Sequence, residues 1–202
     1  MRRYRNEIII KPSSVIKKFT VGEIALEKMV YKQLSLSNIK TAEIIEEGED
    51  VLVFSRLDGP TMNALFETSE AHQDDFLPYL HEWEKYLRMW HEAIKDYRYG
   101  DVNMNNFIYV NHQWIGIDFE QIVIGTIEED FSDMMCFILF HSPKLTEYKY
   151  QLVRRWLQSL TKTDSQIPVN WERKLQEALG RLNQRRNSNE VLDMHKIMGG
   201  SV

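Results

Sequence analysis

The feature of this sequence that most constrains its fold is a pair of aspartates, Asp101 and Asp118, placed on either side of a predicted β-hairpin. Residues 107–110 and 114–117 are β-branched and aromatic runs joined by a polar turn, which is typical of two paired strands. Asn106 follows Asp101 by five residues and directly precedes the first strand. The hairpin brings Asp118 back to the start of its first strand, so we expect both carboxylates and the amide to face one cleft.

Two carboxylates and an amide in this order suit phosphoryl transfer. This reaction needs Mg²⁺ held against the phosphates of the donor, and it needs an acceptor hydroxyl aimed at the γ-phosphoryl group. Asp118 and Asn106 can supply the hard oxygen ligands that Mg²⁺ prefers. Asp101 can accept the proton of the acceptor hydroxyl as a general base. The three residues therefore predict a kinase-type active site.

The residues 99–106, with Tyr-Gly-Asp followed by the offset asparagine, resemble the catalytic loop of the aminoglycoside phosphotransferase type. Residues 117–120 resemble its metal-binding segment, equivalent to the Asp-Phe-Gly segment of protein kinases. The chain is thus similar to the protein-kinase-like superfamily, and more to this type and to small atypical kinases than to ordinary protein kinases. The resemblance implies that Asp101 is the base and that Asn106 and Asp118 bind metal. Tyr99 replaces the customary histidine, and Glu120 the customary glycine.

The N-terminal part extends this resemblance to a nucleotide site that would use ATP and Mg²⁺. Lys17 follows a β-branched run and resembles the lysine that contacts the α- and β-phosphates, with Glu27 on the next helix as its partner. Because side chains alternate along a strand, only one of Lys17 and Lys18 can face the cleft, and we favour Lys17. Ser55 and Leu57 belong to a segment that resembles the hinge against which adenine lies.

Two further segments resemble the support of the catalytic loop. Trp90-His91 is similar to the pair that precedes this loop, and His91 is expected to be a packed, hydrogen-bonded support. Residues 129–133 resemble the helix start whose aspartate anchors the backbone of the loop. We assign that role to Asp133 and expect its carboxylate to accept hydrogen bonds near Tyr99 and Gly100.

A glycine-rich loop over the phosphates is absent, because no glycine precedes Gly22. The backbone amides of such a loop normally cradle phosphate groups. Two explanations stay open: the serine-bearing turn at residues 11–14 replaces the loop, or the N-terminal lobe is abbreviated.

The element pattern predicts an α+β protein, and the resemblance implies a protein-kinase-like, two-lobed fold. Residues 1–59 contain two predicted antiparallel hairpins and one helix and form the expected N-lobe. Residues 60–202 are mainly helical, including a stripe of leucine and tryptophan between residues 77 and 94 that predicts a long packed helix. The polar tail from residue 184 is expected to be frayed, and Arg185 and Arg186 are expected to be solvated.

Composition excludes several other classes of protein. The net charge of −5 disfavours binding to duplex nucleic acid, which usually requires a basic face. The sequence has no apolar run as long as a membrane span and no apolar leader. The lone cysteine, Cys136, excludes an internal disulfide and fits a reducing compartment. We therefore expect a cytoplasmic protein without nucleic-acid or membrane partners.

Three functions stay open at this level: a small-molecule kinase, an atypical protein serine/threonine kinase, and a catalytically silent pseudokinase. The segment between Asp118 and Asp130 is short, and Thr126 is its only hydroxyl residue. It cannot be a long, phosphorylated activation loop. The acceptor is therefore a hydroxyl-bearing small molecule or protein, and the sequence leaves the oligomeric state open.

Overall fold

The computed structural model describes residues 6–20, 24–163 and 170–199, and these form the expected α+β architecture. In those ranges the strands are Glu7–Ile10 (β1), Ser14–Lys18 (β2), Ile44–Glu47 (β3), Val51–Ser55 (β4), Tyr97–Arg98 (β5), Phe107–Val110 (β6), Gln113–Gly116 (β7) and Val123–Ile124 (β8). The helices are Ile24–Leu36 (α1), Met62–His72 (α2), Leu77–Ala93 (α3), Ile127–Leu139 (α4), Glu147–Thr163 (α5), Trp171–Arg186 (α6) and Met194–Met198 (α7).

The N-terminal part is a four-stranded antiparallel sheet in the order β1-β2-β4-β3. Both predicted hairpins are confirmed, with Ile10 opposite Val15 in the first and Glu47 opposite Leu52 in the second. Helix α1 buries Val30, Tyr31 and Leu34 on one face, as its apolar spacing requires.

The C-terminal part is a helical assembly centred on α3 and α4. Helix α3 buries the predicted stripe, with Trp83 and Trp90 fully inaccessible to solvent. Helix α4 begins with an acidic turn and continues as an apolar run, and it is buried from Asp130 along most of its length. Trp83, Phe131 of α4 and Trp156 of α5 meet edge to face, with ring centroids 5.8–5.9 Å apart. These aromatic contacts hold α3, α4 and α5 together.

The hairpin β6–β7 joins the two parts of the chain. Tyr109 N–H donates to the carbonyl of Pro60 at 2.9 Å, and Thr61 forms a β-bridge with Ile108. A Cβ atom on Gly59 would lie 2.1 Å from the Tyr109 carbonyl oxygen, so only glycine allows this close approach. The segment at the predicted lobe boundary therefore packs on the hairpin, while the division into 1–59 and 60–202 stays a prediction.

The expectation of a frayed tail is wrong for the residues that the structure describes. Helix α6 continues to Arg186, and α7 follows after a short connection. Leu192 is 6% exposed and Ile197 is 0% exposed, while Arg154 Nε donates to the Lys196 carbonyl at 3.0 Å. The few apolar residues of the tail are enough to dock it. Nowhere in the described ranges is a helix both long and apolar enough to cross a bilayer.

Candidate active site

Lys17 lies at the centre of the candidate site. Its Nζ atom is 2.6 Å from Glu27 Oε2, 2.6 Å from Asp118 Oδ1 and 3.1 Å from Glu120 Oε2. The predicted ion pair with Glu27 is present. The side chain of Lys17 is 6% exposed whereas that of Lys18 is 47% exposed, because neighbouring residues of β2 point to opposite faces of the sheet.

Burial and charge oppose each other in this cluster. Burial lowers the pKa of Lys17, but the charges of Glu27 and Asp118 and their hydrogen bonds outweigh it, so the pKa is raised above its ordinary value. Burial also raises the pKa of Glu27 to about 7, and the charge of Lys17 opposes this increase only in part. Lys17 is therefore a charged ammonium group that links α1 to the segment after β7.

Asp118 is held in an uncommon backbone conformation. Its φ angle is 65°, in the left-handed region that aspartate tolerates better than most residues. The carbonyl of Ile117 accepts a hydrogen bond from the Tyr99 hydroxyl at 2.5 Å. Phe119 is fully buried, and its ring centroid lies 4.9 Å from that of Tyr31. Tyr99 thus fixes the segment that presents Asp118, although it replaces the customary histidine.

Asp101 and Asn106 are directly connected. Asn106 Nδ2 donates to the Asp101 carbonyl at 2.9 Å and to Asp101 Oδ2 at 3.3 Å. A 3₁₀ turn at Met104–Asn106 closes the loop, and the Asn103 side chain accepts a hydrogen bond from the Asn105 N–H at 3.0 Å. Burial raises the pKa of the Asp101 carboxyl, and the nearby Arg185 opposes this shift.

The residue that anchors the loop is Asp130, so the assignment of Asp133 is wrong. The fully buried Asp130 carboxylate accepts hydrogen bonds from Tyr99 N–H at 2.8 Å and Gly100 N–H at 3.2 Å. His91 Nε2 lies 2.9 Å from the same carboxylate, which agrees with its expected supporting role.

Asp133, one turn further along α4, binds two arginines instead. Its carboxylate accepts a hydrogen bond from Arg98 Nη1 at 2.7 Å and from Arg181 Nε at 2.9 Å. Asp130 and Asp133 are both buried and lie on neighbouring turns, but the rotation of α4 directs only Asp130 at the loop backbone.

A cavity of about 180 Å³ lies between the sheet and the hairpin β6–β7. Six of the predicted site residues are among those that line it: Lys17, Glu27, Ser55, Leu57, Asn106 and Asp118. Asp101 is not among the lining residues, so this cavity does not confirm the expectation that both carboxylates face one cleft; Asp101 is connected to the cavity through its hydrogen bond with Asn106. Sequence reasoning missed Val15, Ile108 and Ile117, which also line the cavity. Strand alternation could have found Val15, which lies two residues from Lys17 on the same strand and so faces the same side of the sheet.

The residues at one end of the cavity fit a magnesium ion. Carboxylate oxygens of Glu27, Asp118 and Glu120 lie within 4.8 Å of one another, and carboxylates are the ligands that hard divalent cations prefer. The Nδ2 atom of Asn106 faces Asp101, which leaves the amide oxygen to serve as a ligand. All three carboxylates contact Lys17, but the side chain of Glu27 is 1% exposed whereas those of Asp118 and Glu120 are 37% and 22% exposed, so Asp118, Glu120 and Asn106 are the more accessible donors.

The serine-bearing turn does not cover the phosphate end of the cleft. Lys11 N–H donates to the Ser14 carbonyl at 2.8 Å, and the Ser13 carbonyl accepts a hydrogen bond from Arg56 N–H at 3.1 Å. The turn therefore lies beside the segment after β4. In an antiparallel hairpin this is the end of β2 away from Lys17, which favours the second explanation, an abbreviated N-terminal lobe.

The fold, but no family, is identified by comparison with known proteins. The chain is similar in structure to a choline/ethanolamine kinase family protein from Mesorhizobium loti, with a TM-score of 0.53 and 11% sequence identity. The similarity covers 96% of this chain and 82% of that protein. No protein-family model and no curated protein matches the chain. The protein-kinase-like α+β fold predicted from the sequence is therefore confirmed at the level of architecture.

Proposed function

We propose that this protein is an ATP- and Mg²⁺-dependent phosphotransferase that moves the γ-phosphoryl group of ATP to a hydroxyl group. The observation that carries the proposal is the bridge formed by Lys17, which contacts Glu27 of α1 and Asp118 at once, with both distances at 2.6 Å. These residues are far apart in sequence, and packing of the protein core does not require a lysine ammonium between them. A phosphate-binding lysine next to a metal-binding aspartate does require this arrangement.

The proposed step divides the work between the two aspartates. Asp101 accepts the proton of the acceptor hydroxyl while the oxygen of that hydroxyl forms a bond to the γ-phosphorus. The bond between this phosphorus and the bridging oxygen to the β-phosphate breaks, and ADP leaves. Lys17 binds the phosphates of ATP. Asp118, Asn106 and Glu120 would hold Mg²⁺, which neutralises negative charge on the phosphates when it is bound.

The compact segment after Asp118 differs from the long, phosphorylated activation loop of typical protein kinases. It contains the short strand β8, and α4 begins directly after Thr126. The Thr126 N–H donates to Glu129 Oε2 at 2.8 Å, so the only hydroxyl residue of the segment belongs to a helix cap. Regulation by phosphorylation of this segment has no support. The acceptor class, small molecule or protein, is left to experiment because variable loops build acceptor pockets.

The test is incubation of the purified protein with γ-labelled ATP and Mg²⁺, alone and with a cell extract that is divided into metabolite and protein fractions. Label in the metabolite fraction supports a small-molecule kinase, and label on protein supports an atypical protein kinase. The matched controls are Lys17→Met and Lys18→Met, because only the first of these lysines faces the cleft.

The alternative is a pseudokinase that binds a nucleotide without turnover. It would show Mg²⁺-ATP-dependent thermal stabilisation of the wild type but no transfer of label to either fraction or to water. Equal transfer by the wild type and by Lys17→Met would contradict the proposed site.

A further inference from the structure

Arg185 is a basic side chain of α6 that reaches the catalytic loop from the far end of the chain. Its Nη2 atom donates to the Gly100 carbonyl at 2.8 Å, across a separation of 85 residues. Its Nη1 atom lies 3.5 Å from Asp101 Oδ1. The loop itself, residues 101–106, contains no lysine or arginine. Arg185 therefore brings to Asp101 a positive charge that the loop does not supply.

The Gly100 carbonyl belongs to the peptide group that leads directly into Asp101. A peptide group is planar, so fixing the direction of the Gly100 carbonyl also fixes the direction of the Asp101 N–H and the position of the Asp101 Cα atom. The N–H groups of Tyr99 and Gly100 are already held by Asp130, at 2.8 and 3.2 Å. Arg185 binds the Gly100 carbonyl, so the backbone that leads into Asp101 is held by Asp130 and by Arg185.

The carboxylate of Asp101 is also contacted from two sides. Arg185 lies at Oδ1 of Asp101, while Asn106 Nδ2 donates to Oδ2 at 3.3 Å. The Asp101 side chain is 22% exposed and the Arg185 side chain is 32% exposed, so the pair lies at the edge of the site and not in open solvent.

Helix α6 is itself anchored one turn earlier. Arg181 lies four residues before Arg185, so both side chains project from the same face of α6. Arg181 Nε donates to Asp133 at 2.9 Å, and Asp133 also binds Arg98, which directly precedes Tyr99. The face of α6 that carries Arg181 and Arg185 is thus connected both to Asp133 of α4 and to the residues that lead into the loop.

We propose that Arg185 is a positioning residue that holds Asp101 in the orientation needed to accept the proton of the acceptor hydroxyl. This inference rests on the proposed function for its catalytic part. It assigns a role in the reaction to the C-terminal helix, through the forked guanidinium group that contacts a carbonyl and a carboxylate together. A lysine offers a single point charge and cannot reproduce this geometry.

The variants that test the proposal are Arg185→Gln and Arg185→Lys, with Arg186→Gln as the matched control. Arg186 is the next residue of the same helix, and its Nη1 atom donates to the Phe140 carbonyl at 3.1 Å, away from the loop. The first measurement is hydrogen exchange of the loop peptide covering residues 99–106, in protein without nucleotide. We expect about tenfold faster exchange in Arg185→Gln, and wild-type exchange in Arg186→Gln.

The second measurement is Mg²⁺-ATP hydrolysis, with water as the acceptor. We expect kcat to fall about 10- to 100-fold in Arg185→Gln with an unchanged KM for ATP, and Arg185→Lys to recover part of the loss. Wild-type loop exchange in Arg185→Gln would overturn the proposal, as would a wild-type kcat or a change confined to KM. If the wild type did not hydrolyse or transfer the γ-phosphate at all, the proposed function would fail, while loop exchange would still decide whether Arg185 holds the loop.

Discussion

Replacement of Lys17 by methionine tests the charge cluster through stability, without reference to activity. The substitution keeps the length of the side chain but removes an ammonium group with contacts of 2.6, 2.6 and 3.1 Å to three carboxylates. It leaves Glu27, which is 1% exposed, without its counter-ion. The matched control is Lys18→Met, since Lys18 and its partner Glu7 have side chains 47% and 57% exposed.

The expected loss in unfolding free energy at pH 7 is about 3 kcal/mol. Removing one partner of a buried ion pair costs about 3–5 kcal/mol. The lower end applies because the side chains of Asp118 and Glu120 are 37% and 22% exposed and retain contact with water. Glu27 can also bind a proton, since its pKa is already about 7. The control should lose less than about 1 kcal/mol, as is usual for an exposed pair.

The dependence on pH gives a second signature. Burial raises the folded-state pKa of Glu27 above its ordinary value, so its protonated form contributes stability at low pH that is lost as the pH rises to about 7. This loss ends above pH 7 in the wild type, where Glu27 is ionised in both states. In Lys17→Met the pKa rises further, so stability should continue to fall by up to about 1.4 kcal/mol per pH unit above pH 7.

The assay is urea unfolding followed by tryptophan fluorescence between pH 6 and 8.5. The double variant Lys17→Met with Glu27→Gln should lose the additional slope above pH 7, because the carboxyl group whose pKa the first substitution raises is no longer present. The reasoning is refuted if Lys17→Met and Lys18→Met are equally stable, or if Lys17→Met follows the pH dependence of the wild type.

Local patterns were sufficient to predict six of the eight described strands, whereas the two-residue strands β5 and β8 are too short to leave a pattern and were not predicted. Alternation along β2 selects Lys17, and a buried, ion-paired side chain is found there. The hairpin β6–β7 places Asn106 and Ile117 opposite each other, with Ile117 N–H donating to the Asn106 carbonyl at 2.9 Å. Strand pairing alone therefore brings Asp118 close to Asn106. Strand alternation and hairpin pairing depend on residues that are close together in the chain, so a single sequence is enough to predict them.

Contacts that depend on how helices rotate and dock could not be predicted in the same way. Asp130 and Asp133 are both acidic residues at the start of α4, and only the packed orientation of the helix decides which of them reaches the loop. Arg185 lies in a polar stretch that resembles ordinary solvated surface, yet docking of α6 brings it to the carbonyl of Gly100. No periodicity or spacing in the sequence encodes that contact.

Three further predictions concern the loop and its aspartates. Asp118→Asn should abolish both turnover and the Mg²⁺-dependent thermal stabilisation by ATP, whereas Asp101→Asn should retain the stabilisation and lose turnover by about 10²–10⁴-fold; wild-type stabilisation in Asp118→Asn would contradict the metal assignment. Asp130→Ala should lower the unfolding free energy in urea by about 3 kcal/mol, because it leaves two buried N–H groups without their acceptor, and a loss below about 1 kcal/mol would contradict this role. Gly100→Ala and Gly180→Ala should have opposite effects on the melting temperature. Gly100 has a φ angle of 78° and a Cβ atom there would lie 2.0 Å from a backbone oxygen, so the loop must shift and both stability and turnover should fall. Gly180 lies inside α6, and a Cβ atom there would meet nothing within 4 Å beyond the backbone of its own helix, so alanine should stabilise the protein by about 0.5–1 kcal/mol through helix propensity alone. Equal melting temperatures for the two variants would show that the backbone of Gly100 is not constrained as described, and that the approach to Asp101 is held by other contacts.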